Sequence, residues 1–312
     1  MLSQEQKNAI LELVDEEKER LGSYRAVAKK CGISETAISL LRKGTYGADT
    51  DDVLTRIGSS LGYGFDCSNW KIADITNYRI VTDVLTDAKE ESMFMGIANP
   101  AGSGKTASAD VFLSKNRRNG CFKVNCKEWG GRQFLHEVAK EIGAELPKGY
   151  SNINVMIDCI SGTFKRISTQ KPLLIIDQAN SLKPSAMRTF IHIFNACEDI
   201  LGVVILGTEN LEYEIKRGVR LNRTGYDEFD SRFGRKYIHL IGATLADARK
   251  ICEVNGIVDA DTQKRKFEES APSNITLESG KSIRVVADFR RIKRLVKAER
   301  LKTKKYGNNE NL

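Results

Sequence analysis

Histidine is scarce in this 312-residue chain, with three residues in all, and no CxxC pair occurs. Cys121 and Cys126 come closest to a metal-ligand spacing, but no histidine stands beside them. That excludes the usual zinc arrangements, which draw four Cys or His ligands from short fixed spacings. The seven cysteines, at 31, 67, 121, 126, 159, 197 and 252, are odd in number and mostly sit in apolar contexts. They are expected to be reduced thiols with core roles. Long apolar runs are also missing: none approaches the ~20 residues that span a bilayer. The first residues, Met1-Leu2-Ser3-Gln4-Glu5, lack the pattern of a secretory signal, so the expected address is the cytoplasm, with no membrane partner. Acidic residues become rare near the C-terminus. Between positions 281 and 305 eleven Lys or Arg face only Asp288 and Glu299, a net +9 in a chain whose total is +8. The basic character therefore belongs to that segment, and it points to nucleic acid.

What is present begins with residues 93–110, Met-Phe-Met-Gly-Ile-Ala-Asn-Pro-Ala-Gly-Ser-Gly-Lys-Thr-Ala-Ser-Ala-Asp. An apolar strand runs into small residues and then into helix formers, the pattern of a phosphate-binding loop. The expected nucleotide cradle runs from Asn99 through Pro100, Ala101, Gly102, Ser103 and Gly104 to Lys105, Thr106 and Ala107. Gly102 and Gly104 let backbone N–H groups close on a polyphosphate. Lys105 can reach the β and γ phosphates, and the Thr106 hydroxyl can bind Mg²⁺. The helix behind them directs its positive end at the same anion. Asn99 stands where the usual motif opens with Gly, and its tolerance of left-handed backbone angles is expected to preserve the turn. The plainer alternative is a Gly-rich turn with an incidental lysine.

Further along, Leu173-Leu-Ile-Ile-Asp177-Gln178 reads as a buried parallel strand ending in a carboxylate. Asp177 would lie at the ligand edge of the sheet and hold Mg²⁺ through water. Residues 121–125 and 201–208 read as further strands, with helices over 106–114, 132–142, 155–167 and 187–197. Strand and helix alternate as in a doubly wound α/β domain. Residues 75–80, ahead of the loop, are a candidate region for packing on a base. Residues 279–298 read as the opening and body of one long helix, with Arg290, Arg291, Arg294 and Lys297 on its polar face. That face can meet phosphates or an acidic protein, or be simply solvated.

Residues 2–21 read as an amphipathic helix. Ser23 and Ser34 are placed to cap two more, with Gly32 at the turn between them. This stretch resembles the helix-turn-helix domain of lambda-type phage repressors. The resemblance puts Glu35, Thr36, Ser39 and Arg42 at DNA. The second helix has no Asn or Gln and a single Arg, so it offers few bidentate base readers, and weak sequence discrimination is expected. A bundle that binds protein is the alternative.

The order of the core motifs resembles the AAA+ ATPases. The resemblance implies an α/β fold: a P-loop core over 66–240, with a parallel sheet and flanking helices. An N-terminal all-α domain over 1–65 and a basic helical lid over 241–312 complete it. The implied cofactors are ATP and Mg²⁺, the metal held by Thr106 and Asp177. The implied catalytic group is Lys105, Asp177, Gln178, Thr208 (or Asn210) as the γ-phosphate sensor, and Arg232 lent to a neighbouring subunit. Asn125 stands at the second strand's tip, Arg284 in the lid would touch the nucleotide, and Arg223 and Arg235 stand in reserve for Arg232. Gln178 departs from the family, which has Glu there as the base for water. Slow hydrolysis, stimulated by DNA and partners, follows, with Glu209 as a substitute base. Domain order and length, together with Asn-Pro-Ala-Gly-Ser-Gly-Lys-Thr and Ile-Ile-Asp-Gln-Ala-Asn, are similar to AAA+ ATPases of the transposition target-selection type. That resemblance implies double-stranded DNA, a transposase and further copies of the chain, in an ATP-dependent oligomer or filament, as partners. Rival readings are a transcription regulator whose ATPase core senses nucleotide, and a helicase loader.

Overall fold

The computed structural model describes residues 2–47, 49–63, 70–116, 118–147, 149, 152–277 and 279–306, with side chains to 303. Cys67, Arg117 and the side chains of Lys304 and Lys305 lie outside the described residues.

Four helices come first: α1 (Gln4–Leu21), α2 (Tyr24–Cys31), α3 (Glu35–Arg42) and α4 (Thr50–Leu61). Ser3, Ser23, Ser34 and Asp49 each accept a backbone N–H at a helix start. Gly32, at φ 67°, turns the chain between α2 and α3. Ile10, Val14, Val27, Ile38, Leu54 and Ile57 fill the bundle's own core. Each such side chain contributes about 1.5–3 kcal/mol of burial.

The core follows in chain order as α5 (Thr76–Glu90), β1 (Phe94–Ala98), α6 (Lys105–Lys115), β2 (Cys121–Asn125), α7 (Gly131–Ile142), α8 (Ile153–Arg166) and β3 (Leu173–Asp177). It continues as α9 (Pro184–Cys197), β4 (Gly202–Gly207), α10 (Glu209–Arg220), α11 (Tyr226–Arg232) and β5 (Tyr237–Ile238). The five strands form one parallel sheet in the order β2-β3-β4-β1-β5. Strand residues alternate between two apolar layers. Leu173, Ile175, Val204 and Leu206 pack with α5 and α6. Leu174, Ile176, Val203 and Ile205 pack with α7, α8, α9 and α11. Burial on both faces is why β3 and β4 read as unbroken apolar runs. Because β4 lies between β1 and β3, the strand ends carrying the P-loop and Asp177 flank the tip of β4, which carries Thr208.

The chain closes with α12 (Leu245–Val254), α13 (Ala260–Glu269), an antiparallel hairpin of β6 (Ser273–Thr276) and β7 (Ser282–Val285), and α14 (Phe289–Tyr306). The hairpin corrects the expectation of one helix over 279–298. Gly280 takes φ 79° at the hairpin turn, and residues 282–285 pair with 273–276 instead of coiling. The helix starts only at Phe289. Trp70, Tyr78 and Phe289 pack on the apolar core of this region.

Candidate functional site

β1 delivers the chain to the phosphate loop. Gly102 and Gly104 both take φ 91°, a conformation that L side chains rarely adopt. Asn99 behaves differently from expectation, since its φ is not positive. Its side chain explains its presence: Oδ1 accepts the Leu240 N–H at 2.8 Å, tying the end of β1 to the chain just beyond β5. Lys105 is buried at the start of α6, and its Nζ donates to Asn99 O at 2.7 Å, Pro100 O at 3.0 Å and Ser103 Oγ at 3.0 Å. Burial pulls the Lys105 pKa down to about 8, against the opposing pull of Asp177.

Asp177, only 2% exposed, ends β3. Its Oδ1 accepts the Gln178 N–H at 2.9 Å. Its Oδ2 is buried and accepts no directed hydrogen bond. Lys123 Nζ lies 3.2 Å from that oxygen, at ion-pair distance. Asp177 and Thr106 line one cleft, and a carboxylate beside a hydroxyl is the donor set that Mg²⁺ with its waters takes. The residues fit the metal: Thr106 and Asp177 would hold it, and it would supply neutralisation of phosphate charge. Gln178 follows at φ 57°, exposed and facing the same cleft. Thr208 joins this edge, its N–H held by Asn180 Oδ1 at 3.2 Å. Asn125 pairs in register with Asp177 across the neighbouring strand.

These groups open into a cleft of about 310 Å³. One part of its lining is the loop from Ala101 to Ser108 with Asp177, Gln178 and Thr208. Another is apolar and aromatic: Trp70, Ile72, Ala73, Ile75, Tyr78, Ile251 and Phe289. The polar lining suits a polyphosphate and the apolar lining a base. The expected base-packing region, 75–80, thus contributes Ile75 and Tyr78. Sequence reasoning missed Trp70, Ile251 and Phe289, since nothing local to 251 or 289 announces a cleft more than 140 residues from its loop.

Polar ties hold the cleft's two sides together. Asn77, fully buried, donates to Ser103 O at 3.1 Å and accepts the Gly242 N–H at 3.0 Å. Thr76 N donates to Asp247 Oδ1 at 3.0 Å, joining α5 to α12. Asn255 bonds the Lys71 backbone through both its amide atoms, at 2.9 Å each. At the other rim the Phe289 N–H donates to Gly102 O at 2.9 Å. A Cβ added at Gly102 would stand 2.1 Å from Asp288 Oδ1, so the start of α14 sits directly on the loop.

Several expected residues lie elsewhere. Arg284 is on β7, not at a helix start, and pairs with Glu268 at 2.8 Å outside the cleft. The late start of α14 puts Arg290 and Lys293 at the cleft instead, Lys293 Nζ lying 5.4 Å from the centre of the Trp70 ring. Arg232 lines no part of its own chain's cleft: it donates to Asn195 Oδ1 at 3.1 Å and lies 4.9 Å over Phe194. Arg235 pairs with Asp227 at 2.7 Å, and Arg223 is exposed without an ion pair among the described residues. On α3, Glu35, Thr36 and Ser39 are exposed. Arg42 is engaged, pairing with Asp15 at 2.9 Å and lying 4.7 Å over Tyr24. On α14, Arg290, Arg291, Arg294 and Lys297 are exposed and form no ion pair among the described residues.

A family model described as an AAA domain matches residues 89–213, the span from the end of α5 into α10. Sheet order, phosphate loop and strand-end carboxylate are those of the AAA+ P-loop fold, and the core is a nucleotide-binding ATPase. No curated protein matches the sequence. Among solved structures, Cdc6p from Pyrobaculum aerophilum is similar at 14% identity and TM-score 0.44, over 60% of this chain and 51% of that one. The Thermotoga maritima RuvB Holliday junction branch migration motor is similar at 16% identity and TM-score 0.40, over 74% and 63%. The chain thus spans between half and two thirds of these structures, and likenesses this low carry no argument about substrate or partner. Among the described residues no helix is long and apolar enough to cross a membrane.

Proposed function

We propose that this chain is an ATP-dependent DNA-binding ATPase, largely indifferent to sequence, that assembles on duplex DNA and captures it as a transposition target. In that reading it delivers the target to a transposase and activates it, as does bacteriophage Mu transposition protein B, which the chain resembles in domain order and motifs. The observation that carries the proposal is the seat of α14. The helix that presents Arg290, Arg294 and Lys297 to solvent begins on the loop that cradles the nucleotide, through Phe289 N–H and Gly102 O. Phosphate binding at the loop and DNA binding on the helix are thereby mechanically joined. Affinity from such a stripe comes from neutralised phosphates and falls with salt, at a slope of roughly −0.9 per phosphate contacted.

The engagement of Arg42 with Asp15 and Tyr24 supports sequence indifference. Arg42, the one side chain of α3 able to read a guanine bidentately, would have to give up these contacts to reach a base. The N-terminal bundle then contributes backbone contacts through Thr36 and Ser39. Arg232, or the freer Arg223, completes a neighbour's site. Gln178 can orient water but cannot take its proton, so hydrolysis is slow until a partner assembles on the chain.

Sedimentation with random-sequence duplex, in ATP, ADP or no nucleotide, tests the reading. Large assemblies are expected with ATP alone, on any sequence, and Lys105→Ala should abolish them. Small complexes on one sequence, indifferent to nucleotide, would assign the function to an operator-binding bundle. Preference for single strands would favour a helicase loader.

A further inference from the structure

Lys123 stands in the middle of β2, where its neighbours Phe122 and Val124 are buried in the main core. It is 9% exposed, and a buried ammonium must find partners. It has two. Its Nζ lies 2.5 Å from Asp110 Oδ1 on α6 and 3.2 Å from Asp177 Oδ2 on β3. One cation thus joins the helix that leaves the phosphate loop to the strand that carries the metal-site carboxylate. The two carboxylates are held differently. Asp110 takes the directed hydrogen bond and has a side chain 57% exposed, whereas Asp177 is 3% exposed and its Oδ2 takes only the ion pair.

We propose that Lys123 tunes the Mg²⁺ site by its charge: fixed beside Asp177 Oδ2, it weakens the site's hold on the metal, while Asp110 sets how much of that charge Asp177 feels. The proposal rests on the nucleotide-binding reading of the cleft and goes beyond it, because nothing in a phosphate loop requires a lysine on the neighbouring strand. A buried charge at this distance is little screened by salt. An ammonium fixed 3.2 Å from a carboxylate oxygen repels any second cation that approaches the same carboxylate. Removing the lysine charge should therefore tighten Mg²⁺ binding. Neutralising Asp110 should weaken it, since Lys123 then turns wholly to Asp177.

The test is a Mg²⁺ titration of the full-length protein with a fluorescent ATP analogue, the readout being the Mg²⁺ midpoint of nucleotide binding. Lys123→Met is expected to lower the midpoint several-fold and Asp110→Asn to raise it, the sign following from the charge beside Asp177. Lys123→Arg should return it close to wild type. A lysine that merely supports the fold would lower stability in both variants and leave the midpoint alone. Unchanged midpoints, or shifts of the same sign, overturn the proposal. Should Lys123→Met fail to fold by circular dichroism, Asp110→Asn decides alone, since that side chain is largely in solvent: a raised midpoint supports the proposal, an unchanged or lowered one overturns it. If wild type binds no nucleotide at any Mg²⁺ concentration, the reading of the cleft fails, and the proposal with it. If wild type binds and the variants share its midpoint, only the role of Lys123 fails.

Discussion

The core holds its two helical neighbours by joints of opposite kinds. The N-terminal bundle is fastened by buried charge. Arg20 donates to Cys121 O at 2.8 Å and to Glu141 at 3.1 Å, pairs with Glu17 and lies 4.7 Å over Phe122. Lys30 completes the group, 3.0 Å from Glu17 and 2.8 Å from Glu141. No residue of the nucleotide cleft takes part. The C-terminal region is fastened through the cleft itself, by Phe289 on Gly102 and by Asn77 on Ser103 and Gly242. The first joint uses no residue that lines the cleft, while the second is made from the phosphate-loop motif itself.

The comparison breaks most visibly at Arg20. Arg20→Met leaves Glu17 and Glu141 sharing Lys30 alone, and breaking a buried ion pair costs about 3–5 kcal/mol. Denaturant melts should show that loss, while nucleotide affinity stays near wild type. Acid should loosen the same joint. Burial alone would raise the Glu17 carboxyl above its usual 4.5, but Arg20 and Lys30 outweigh burial and hold it lower. Its folded state therefore binds fewer protons than the unfolded one. The stabilisation is complete above pH of about 4.5 and is lost as pH falls through the depressed folded value. Stability of the Arg20→Met variant should depend less on pH there.

Next in size is Gly102→Ala, which puts a Cβ against Asp288 and forces a left-handed alanine, at roughly 1–3 kcal/mol of strain. Hydrogen exchange should rise in α14 and not in α1, and nucleotide affinity should fall. The smallest effect sharpens the comparison at Asn99. Asn99→Gly restores the usual loop residue but loses the bond to Leu240 N, a net of about 0.5–1.5 kcal/mol. Nucleotide binding within a few-fold of wild type, with a slightly lower melting temperature, would show that Asn99 serves the sheet and not the phosphate.

What could be read from the chain was whatever is local. Gly102-Ser-Gly-Lys-Thr106 and Leu173-Leu-Ile-Ile-Asp177 carry their geometry in consecutive residues, because a phosphate loop and a buried strand are each built within a few positions. The apolar stretch around 283–296 was misread as one helix. The pairing of 282–285 with 273–276 depends on a turn at Gly280, and Ile283 and Val285 suit a strand as well as a helix. Asn99 was read through backbone tolerance alone, whereas its partner lies 141 positions away. Arg284 was placed by analogy of order, and the four-residue β7 displaced it. Lys123 did leave a trace, a charge inside Cys121-Phe-Lys-Val-Asn125, but its meaning needed Asp110 and Asp177 in space.

The seat of α14 on Gly102 also has a consequence of scale. Eighteen residues of helix at about 1.5 Å each make a rod of roughly 27 Å. Ile292 and Val296 on its buried face pack with Ile251, Cys252 and Phe267, so the rod moves only together with α12 and α13. In the proposed function, a shift of the loop would therefore reach Arg290, Arg294 and Lys297 as a movement of the whole C-terminal region and not of one helix.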